Sequence, residues 1–334
     1  MVLIFRPIAQ SVDLLDLPST RKQHVGAVPL IGGVSIYASL LICAIMFPFW
    51  RAHDGLQLIV LSLPVLLVGI ADDHKSVSVR GRLLAEVFSC LVAADYFGVR
   101  LNTLGELIPG VEIQLYWLAL PVTIFGMVGV MNAYNMVDGV DGLSGGLAFM
   151  TFCALAALAA RTDAEATWQL LTVAAALLGF LLFNFRFPGR KRAAVFMGDA
   201  GTMVVGFILA WYLIRLSQGE DATITPVAAL WLFSVPLMDT VTVMFRRIRR
   251  GHSPFKPDCE HLHHIFLQSG SGVNQTVLKI FGLQFVSICY AGASILFGIP
   301  QWISFCLFMG VFLAYNGVMA RACRKTYSVR DLRR

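Results

Sequence analysis

The sequence predicts an all-α integral membrane protein, a polytopic bundle of about ten transmembrane helices. Three observations carry this. Of 334 residues, 57% are apolar and only 14% charged, against roughly 45–50% and about 25% in soluble domains. Mean hydropathy over the whole chain is +0.73, which leaves more apolar surface than one water-facing core hides. The apolar residues also gather into runs close to the ~20 residues that a spanning helix needs. A disordered chain and an ordinary soluble domain are both excluded.

Ten runs stand out, at 28–50, 56–71, 83–99, 114–134, 145–160, 168–185, 199–217, 225–245, 277–298 and 300–320. Two of them, 56–71 and 145–160, are short for a span. Pro64, Pro121 and Pro236 lie inside runs. Membrane helices tolerate this where neighbours re-satisfy the freed backbone groups. Neither a repeat nor a low-complexity linker divides the chain, so residues 1–334 read as a single polytopic domain, with 246–276 as a large cytoplasmic loop. Met1 to Phe5, ahead of Arg6-Pro7, are too few to span and read as neither a signal peptide nor a full helix. There are 7 cysteines. Cys43, Cys90, Cys153, Cys289 and Cys306 sit inside apolar runs as small hydrophobes, and no paired C-x-x-C motif or disulfide framework is visible.

The basic residues set the orientation. Alternating the connectors between two sides puts Arg51, Arg100, Arg161 and Arg215 on one side and the other 22 of the 26 on the opposite side. These include Arg190-Lys191-Arg192, Arg246-Arg247, Arg249-Arg250 and the tail from Arg321 to Arg334. That excess makes the second side, and the C-terminus, cytoplasmic. The net charge of +6 therefore reads as membrane orientation, with no nucleic-acid partner. The other loops are short and carry acids, among them Asp54, Glu106, Asp163 and Glu220.

The unusual polar clusters all fall at span ends on the cytoplasmic side, which places an active site at the membrane surface. Asp72-Asp73 ends the run 56–71. As solvated loop charges they would be badly placed, because carboxylates at a helix C-terminus oppose the macrodipole. Lys75, Arg80 and Arg82 follow as a basic arm suited to phosphate, although the positive-inside rule alone also explains them. Residues 132–143 read NAYNMVDGVDGL. Asn132, Asn135 and Asp138 recur three apart and share a face if the helix continues. Such a face must meet protein, metal or a polar ligand, since bare amides and carboxylates on lipid are costly. Gly139, Gly142 and Gly145-Gly146 allow a bulky anionic ligand close to the backbone.

Residues 196–201 read FMGDAG. Asp199 is a natural helix N-cap, but Phe196 three residues earlier also makes an aromatic platform beside a carboxylate. Asp199 with Asn135 or Asp138 suits Mg²⁺, which takes one or two carboxylates plus phosphate oxygens. Residues 259–264 read CEHLHH and invite zinc. The basic loop around them favours His261, His263 and His264 as donors to phosphate, with a purely structural role as the third reading. Surface carboxylates, a magnesium-type ligand set and phosphate donors fit phosphoryl transfer from a soluble anionic donor to a lipid acceptor.

Five motifs in order, RKQHVGAVPLIGG at 21–33, ADDHKSVSVRGR at 71–82, NAYNMVDGVDGL, VFMGDAG at 195–201 and SPFKPDCEHLHH at 253–264, resemble the polyprenyl-phosphate N-acetylhexosamine-1-phosphate transferase family. The resemblance covers nearly the whole chain and is strongest to the WecA type. The HLHH loop favours that type over the MurNAc-pentapeptide branch, which has consecutive histidines. It implies transfer of GlcNAc-1-phosphate from UDP-GlcNAc to undecaprenyl phosphate with release of UMP, starting O-antigen or other cell-envelope polysaccharide synthesis at the bacterial inner membrane. It also implies Mg²⁺, replaceable by Mn²⁺, and 11 spans for the type, the first of which is missing ahead of Arg6. Membrane lipid is a further partner, and a homodimer is compatible.

Residue by residue, the resemblance implies that Asp199 and Asn135 hold the metal on the donor diphosphate. Phe196 stacks on uracil, with Asp141 near the base. Asp72 and Asp73 sit near the acceptor phosphate, with Asp138 and Asp141 completing the catalytic carboxylates. Asn132 contacts substrate, and Arg82, His261, His263 and His264 bind phosphates. The alternatives are a sibling using another UDP-N-acetylated sugar, a secondary transporter of an anionic metabolite, or a regulatory protein with a dead site. Carboxylates at one membrane edge, away from mid-membrane, argue against the transporter.

Overall fold

The computed structural model describes residues 1–17, 26–51, 55–254 and 260–331. The first five residues of the RKQHV motif, together with Asp54, Lys256, Cys259 and the final 332–334, lie outside the described residues. The chain forms two units, residues 1–103 with 114–226, and residues 104–113 with 227–334.

The first unit carries helices α1 (Val2–Ser11), α2 (Gly32–Met46), α3 (Pro48–Arg51), α4 (Gly55–His74), α5 (Val79–Asp95), α6 (Ala119–Val137), α7 (Leu143–Ala159), α8 (Ala164–Asn184) and α9 (Gly198–Arg215). Strand pair β1 (Leu15–Asp16) and β2 (Val28–Pro29) is antiparallel, with Leu15 opposite Pro29. A second pair, β3 (Thr103–Ile108) and β4 (Val111–Gln114), turns at Gly110, whose φ is +71°. The spacing of the apolar runs predicts only a short loop there. The helices α10 (Pro226–Leu232), α11 (Ser234–Arg249), α12 (Leu262–Gln268), α13 (Val273–Leu296) and α14 (Gln301–Asp331) complete the chain.

Each of the ten apolar runs is helical. Among the described residues, five helices are long and apolar enough to cross a membrane, or six if α10 and α11 count as one bent span. The protein is therefore a multi-pass α-helical membrane protein. The run 225–245 is bent by 83° between α10 and α11. Pro236 explains the position, because a proline ring clashes with the carbonyl four residues earlier, here Leu232. Gln284 of α13 covers the break, donating to the Leu232 carbonyl at 2.7 Å and accepting from Val235 N–H at 3.2 Å.

The core of the first unit is α9, in which every residue from Ala200 to Ile214 is buried. A helix apolar all round needs neighbours on every side, and α2, α4, α6 and α7 supply them. Small residues let these backbones come close: a Cβ on Gly69 of α4 would fall onto the backbone of Ala200. At the start of α9, Phe196 N–H donates to Pro29 O, and Gly32 N–H to Phe196 O, both at 2.9 Å. Strand β2 and the start of α2 thereby fix where α9 begins.

Candidate active site

Five helix ends of the first unit meet around polar residues: the C-terminal ends of α4 and α6 and the N-terminal ends of α5, α7 and α9. Asp73, on the last turn of α4, accepts hydrogen bonds from the N–H groups of Asp199 (2.8 Å) and Ala200 (3.2 Å). The α9 N-cap residue Met197 provides no side-chain cap, so Asp73 caps α9 from another helix. A carboxylate is favoured there by both the free N–H groups and the macrodipole. Gly198 is required at this junction. Its φ is +73°, and a Cβ would run into the Asp73 carboxylate.

Asp72 lies beside it with different partners. It accepts from Val77 N–H at 2.6 Å and from Arg82 at 3.3 Å, and its side chain reaches that of Asp199. Arg82 stands at the start of α5, where Ser78 accepts from Gly81 N–H and caps the helix. Asp199 accepts from the Asn135 amide at 2.5 Å, and that amide also donates to Thr202 at 3.1 Å. Asp72, Asp73, Asp199, Asn135 and Arg82 are thus one cluster, drawn from four helices.

Asp138 follows the end of α6 and accepts from the Ser144 hydroxyl at 2.5 Å. Asp138 is exposed to solvent. Even so, the protein packed around its carboxyl pushes the pKa up to about 7, with the Ser144 hydrogen bond opposing and the charges of Asp199 and Asp141 adding. Asp141 accepts from Arg186 at 2.7 Å and from Ala193 N–H at 3.1 Å, which ties the 186–193 segment to the start of α7. Phe196 is half-buried, two residues before Gly198.

Asn132 and Asn135 share a side of α6 but diverge. Asn135 goes to α9, whereas buried Asn132 donates to Glu86 of α5 at 2.7 Å and to Val128 O at 2.9 Å. Glu86 is fully buried and its other oxygen lies 3.9 Å from Arg82. It links two predicted substrate contacts, Arg82 and Asn132, without belonging to any motif. Its signal in sequence was an acid inside an apolar run, four residues after Arg82. Ser144 and Arg186 carry no such signal, since each is ordinary until its partner is known.

The second unit holds the histidines. His261 and His263 are buried and His264 is half-buried. His261 meets Asp239 of α11 through Nδ1 at 2.8 Å, and its ring lies parallel to that of His263 with centroids 5.7 Å apart. His263 and His264 follow at 4.2 Å. Burial among neighbouring imidazoles drives the His263 pKa down to about 3, against some help from Asp239. Among the described residues, no three His, Cys, Asp or Glu side chains gather as a metal-binding group; Cys259 of the zinc reading is not among them.

The donor set around Asp199 still fits a hard cation. The Asp72 carboxylate lies near enough to act on that of Asp199, and carboxylates are oxygen ligands of the type magnesium takes one or two of, completing its shell with water and phosphate.

Membrane-length helices that end together in a knot of carboxylates, amides and arginine define an integral membrane protein with a polar centre at helix ends. A family profile described as Glycosyl transferase family 4 matches residues 56–217, the stretch that contains this knot. Among the similar proteins are three named undecaprenyl-phosphate alpha-N-acetylglucosaminyl 1-phosphate transferase. That of Escherichia coli O157:H7 is 33% identical over 98% of this chain and 90% of its own. That of Salmonella typhi is 33% identical over 100% and 91%, and that of Pasteurella multocida is 33% identical over 100% and 93%. The chain belongs to glycosyl transferase family 4, among the polyprenyl-phosphate N-acetylhexosamine-1-phosphate transferases.

Proposed function

We propose that this protein transfers GlcNAc-1-phosphate from UDP-GlcNAc to undecaprenyl phosphate, releases UMP, and so begins O-antigen or related cell-envelope polysaccharide synthesis. The relatives' names state the acceptor and the transferred group. The observation that carries the reading here is the Asp72–Asp199–Asn135 contact beside Arg82: an acidic site with an adjoining cation, fitted to a phosphorylated substrate and a divalent metal. In this reading ten helices span the bacterial inner membrane, and the polar centre and the C-terminus face the cytoplasm, as the basic-residue excess requires.

Asp199 and the Asn135 side-chain oxygen are the residues that would hold Mg²⁺, or Mn²⁺ in its place. Bound there, the ion supplies charge neutralisation to the donor diphosphate. Arg82, held by Asp72, offers a fixed guanidinium to phosphate oxygens. Phe196 stacks on the uracil with Asp141 nearby, and Asn132 contacts the substrate. An oxygen of the lipid phosphate attacks the β-phosphorus, that phosphorus–oxygen bond forms, and the bond to the leaving UMP oxygen breaks.

The second pKa of a phosphate monoester is near ~6, so the attacking dianion is abundant at neutral pH and needs little base assistance. Direct attack is favoured over an aspartyl intermediate for a further reason. Both Asp73 oxygens already accept backbone N–H groups, and those of Asp72 accept Val77 N–H and Arg82. These hydrogen bonds hold both carboxylates in place, which suits groups that position and polarise more than ones that attack.

The test is UMP release by the detergent-purified protein from UDP-GlcNAc and undecaprenyl phosphate, with and without Mg²⁺. Release that needs both lipid and metal is expected. Release from another UDP-N-acetylated sugar only would move the protein to a sibling specificity, and silence with every donor would overturn the reading.

A further inference from the structure

The segment that follows α8 carries four cations, Arg186, Arg190, Lys191 and Arg192, within seven residues. Its setting begins with α8 itself. Trp168, Leu171, Ala175, Leu178 and Leu182 are exposed and recur at helical spacing, so one apolar stripe runs the length of the helix. On a helix apolar and long enough to cross a membrane, such a stripe faces lipid. Ala164–Asn184 has 21 residues, about 32 Å of helix against a hydrocarbon core of about 30 Å. A helix of that length fills the core and leaves the residues just past Asn184 at the level of the headgroups.

Residues 187–190 read FPGR. Proline second and glycine third, with Gly189 at φ +93°, is the pattern of a type II turn. Arg190 N–H donates to Phe187 O at 2.9 Å, and Phe187 N–H to Arg190 O at 3.1 Å. The turn is fastened to the foot of α8. Arg190 donates through Nη2 to Phe185 O at 2.8 Å and to the carbonyl of Leu182, the last residue of the exposed stripe. It thus satisfies carbonyls that the helix end leaves over. Its guanidinium carbon lies 5.2 Å from the Phe187 ring centroid. Both ends of the loop are pinned as well. Asn184 accepts from Gly142 N–H at 2.7 Å and donates to Val195 O at 2.9 Å, while Asp141 holds both Arg186 and Ala193 N–H.

From this braced frame the loop presents Phe187, Pro188, Lys191 and Arg192, all exposed. Among the described residues, Lys191 and Arg192 make no hydrogen bond or ion pair. The positive-inside rule accounts for basic residues on this side, but not for a rigid turn that projects two of them beside an aromatic ring. At a bilayer surface that combination suits a lipid headgroup, with apolar groups in the interface and cations on phosphate. A zwitterionic headgroup brings its own cation, which Lys191 and Arg192 repel, whereas an anionic one does not.

We propose that the 185–194 loop is a binding site for the phosphate of an anionic phospholipid, held by Lys191 and Arg192 while Phe187 and Pro188 seat the turn in the interface. The site stands whether or not the transferase reading does.

The test uses the full chain in phosphatidylcholine nanodiscs at low salt. These are doped with photoreactive phosphatidylglycerol or, in parallel, with a phosphatidylcholine probe carrying its diazirine at the same position. Peptic mapping then reads the labelling of residues 184–196. One lysine or arginine near a surface gives about a fivefold preference for anionic lipid, so the phosphatidylglycerol probe should label this stretch about 25-fold more than the other. In Lys191→Gln/Arg192→Gln the preference should fall close to one. Labelling by the phosphatidylcholine probe should not change, because the turn stays in the interface. Equal labelling by both probes in wild type would overturn the proposal whether or not the variant folds. So would a preference that survives the double substitution. Saturating UDP-GlcNAc should leave the labelling as it is; if it abolishes it, the loop binds the soluble diphosphate and the lipid assignment falls.

Discussion

The two polar regions use carboxylates in opposite ways. In the 227–334 unit, each buried acid is matched: Asp239 by His261 and Tyr315, Glu260 by Arg246 and Arg250. In the other unit, Asp72, Asp73 and Asp199 crowd together against Arg82 and Asn135, with Asp73 held by neutral backbone N–H groups. Burying charge without a matching counter-charge is costly, and crowding like charges adds to that. In the function proposed above, such a cluster would receive a cation and an anionic substrate. The matched network is complete in itself, which suits a part that holds other groups in place.

The sharpest way to break this contrast is Asp199→Ala, which removes the acid at the centre of the surplus. Metal-dependent UMP release should fall about a thousandfold or more, with the folded protein retained, in line with the electrostatic share of such catalysis. Normal metal dependence would end the ligand assignment. Asp72→Asn is expected to be milder, lowering turnover about a hundredfold while equilibrium binding of the UDP-sugar survives. Full turnover would take Asp72 out of the reaction.

Glu86→Gln probes the link between Arg82 and Asn132. The amide retains one acceptor for Asn132 but no charge for Arg82, so kcat/KM should drop about tenfold. An unchanged value would make Glu86 packing alone.

The smallest effect belongs to the matched network. The folded pKa of His263, about 3, lies below its ordinary 6.5, so on acidification the unfolded chain takes up the proton first. The stability this residue contributes is whole above about pH 6.5 and is lost as pH falls toward about 3. The expected loss is about 2 kcal/mol between pH 6.5 and 5. Thermal midpoints in detergent should therefore fall over that range, and His263→Gln should flatten the slope. Equal slopes would refute the role of His263 in it.

Much of the candidate site is legible along the chain because its residue types are conspicuous in an apolar sequence. Paired acids after 56–71, amides three apart at 132 and 135, and histidines in a basic loop have no cheap explanation beside lipid. The helices were legible for the same reason: runs of apolar side chains report burial locally, whichever neighbours they meet. Pro236 shows the limit. It lay visibly inside a run, but whether it would kink, break or leave the helix intact depended on Gln284, 48 positions later in the chain, reaching the freed carbonyl and N–H.

By itself the sequence determined the class of protein, its helices and the stock of polar side chains at their ends. These follow from local composition and spacing. Tertiary structure alone decided which acids are shared and which are matched. Asp73 meets the α9 backbone 126 residues away, Asn135 meets Asp199 across 64, and Asp239 meets His261 across 22. Adjacent Asp72 and Asp73 look alike in sequence, yet one caps a distant helix while the other holds Arg82. Successive helical side chains point about 100° apart, and what each one then meets is set by the packing of other helices.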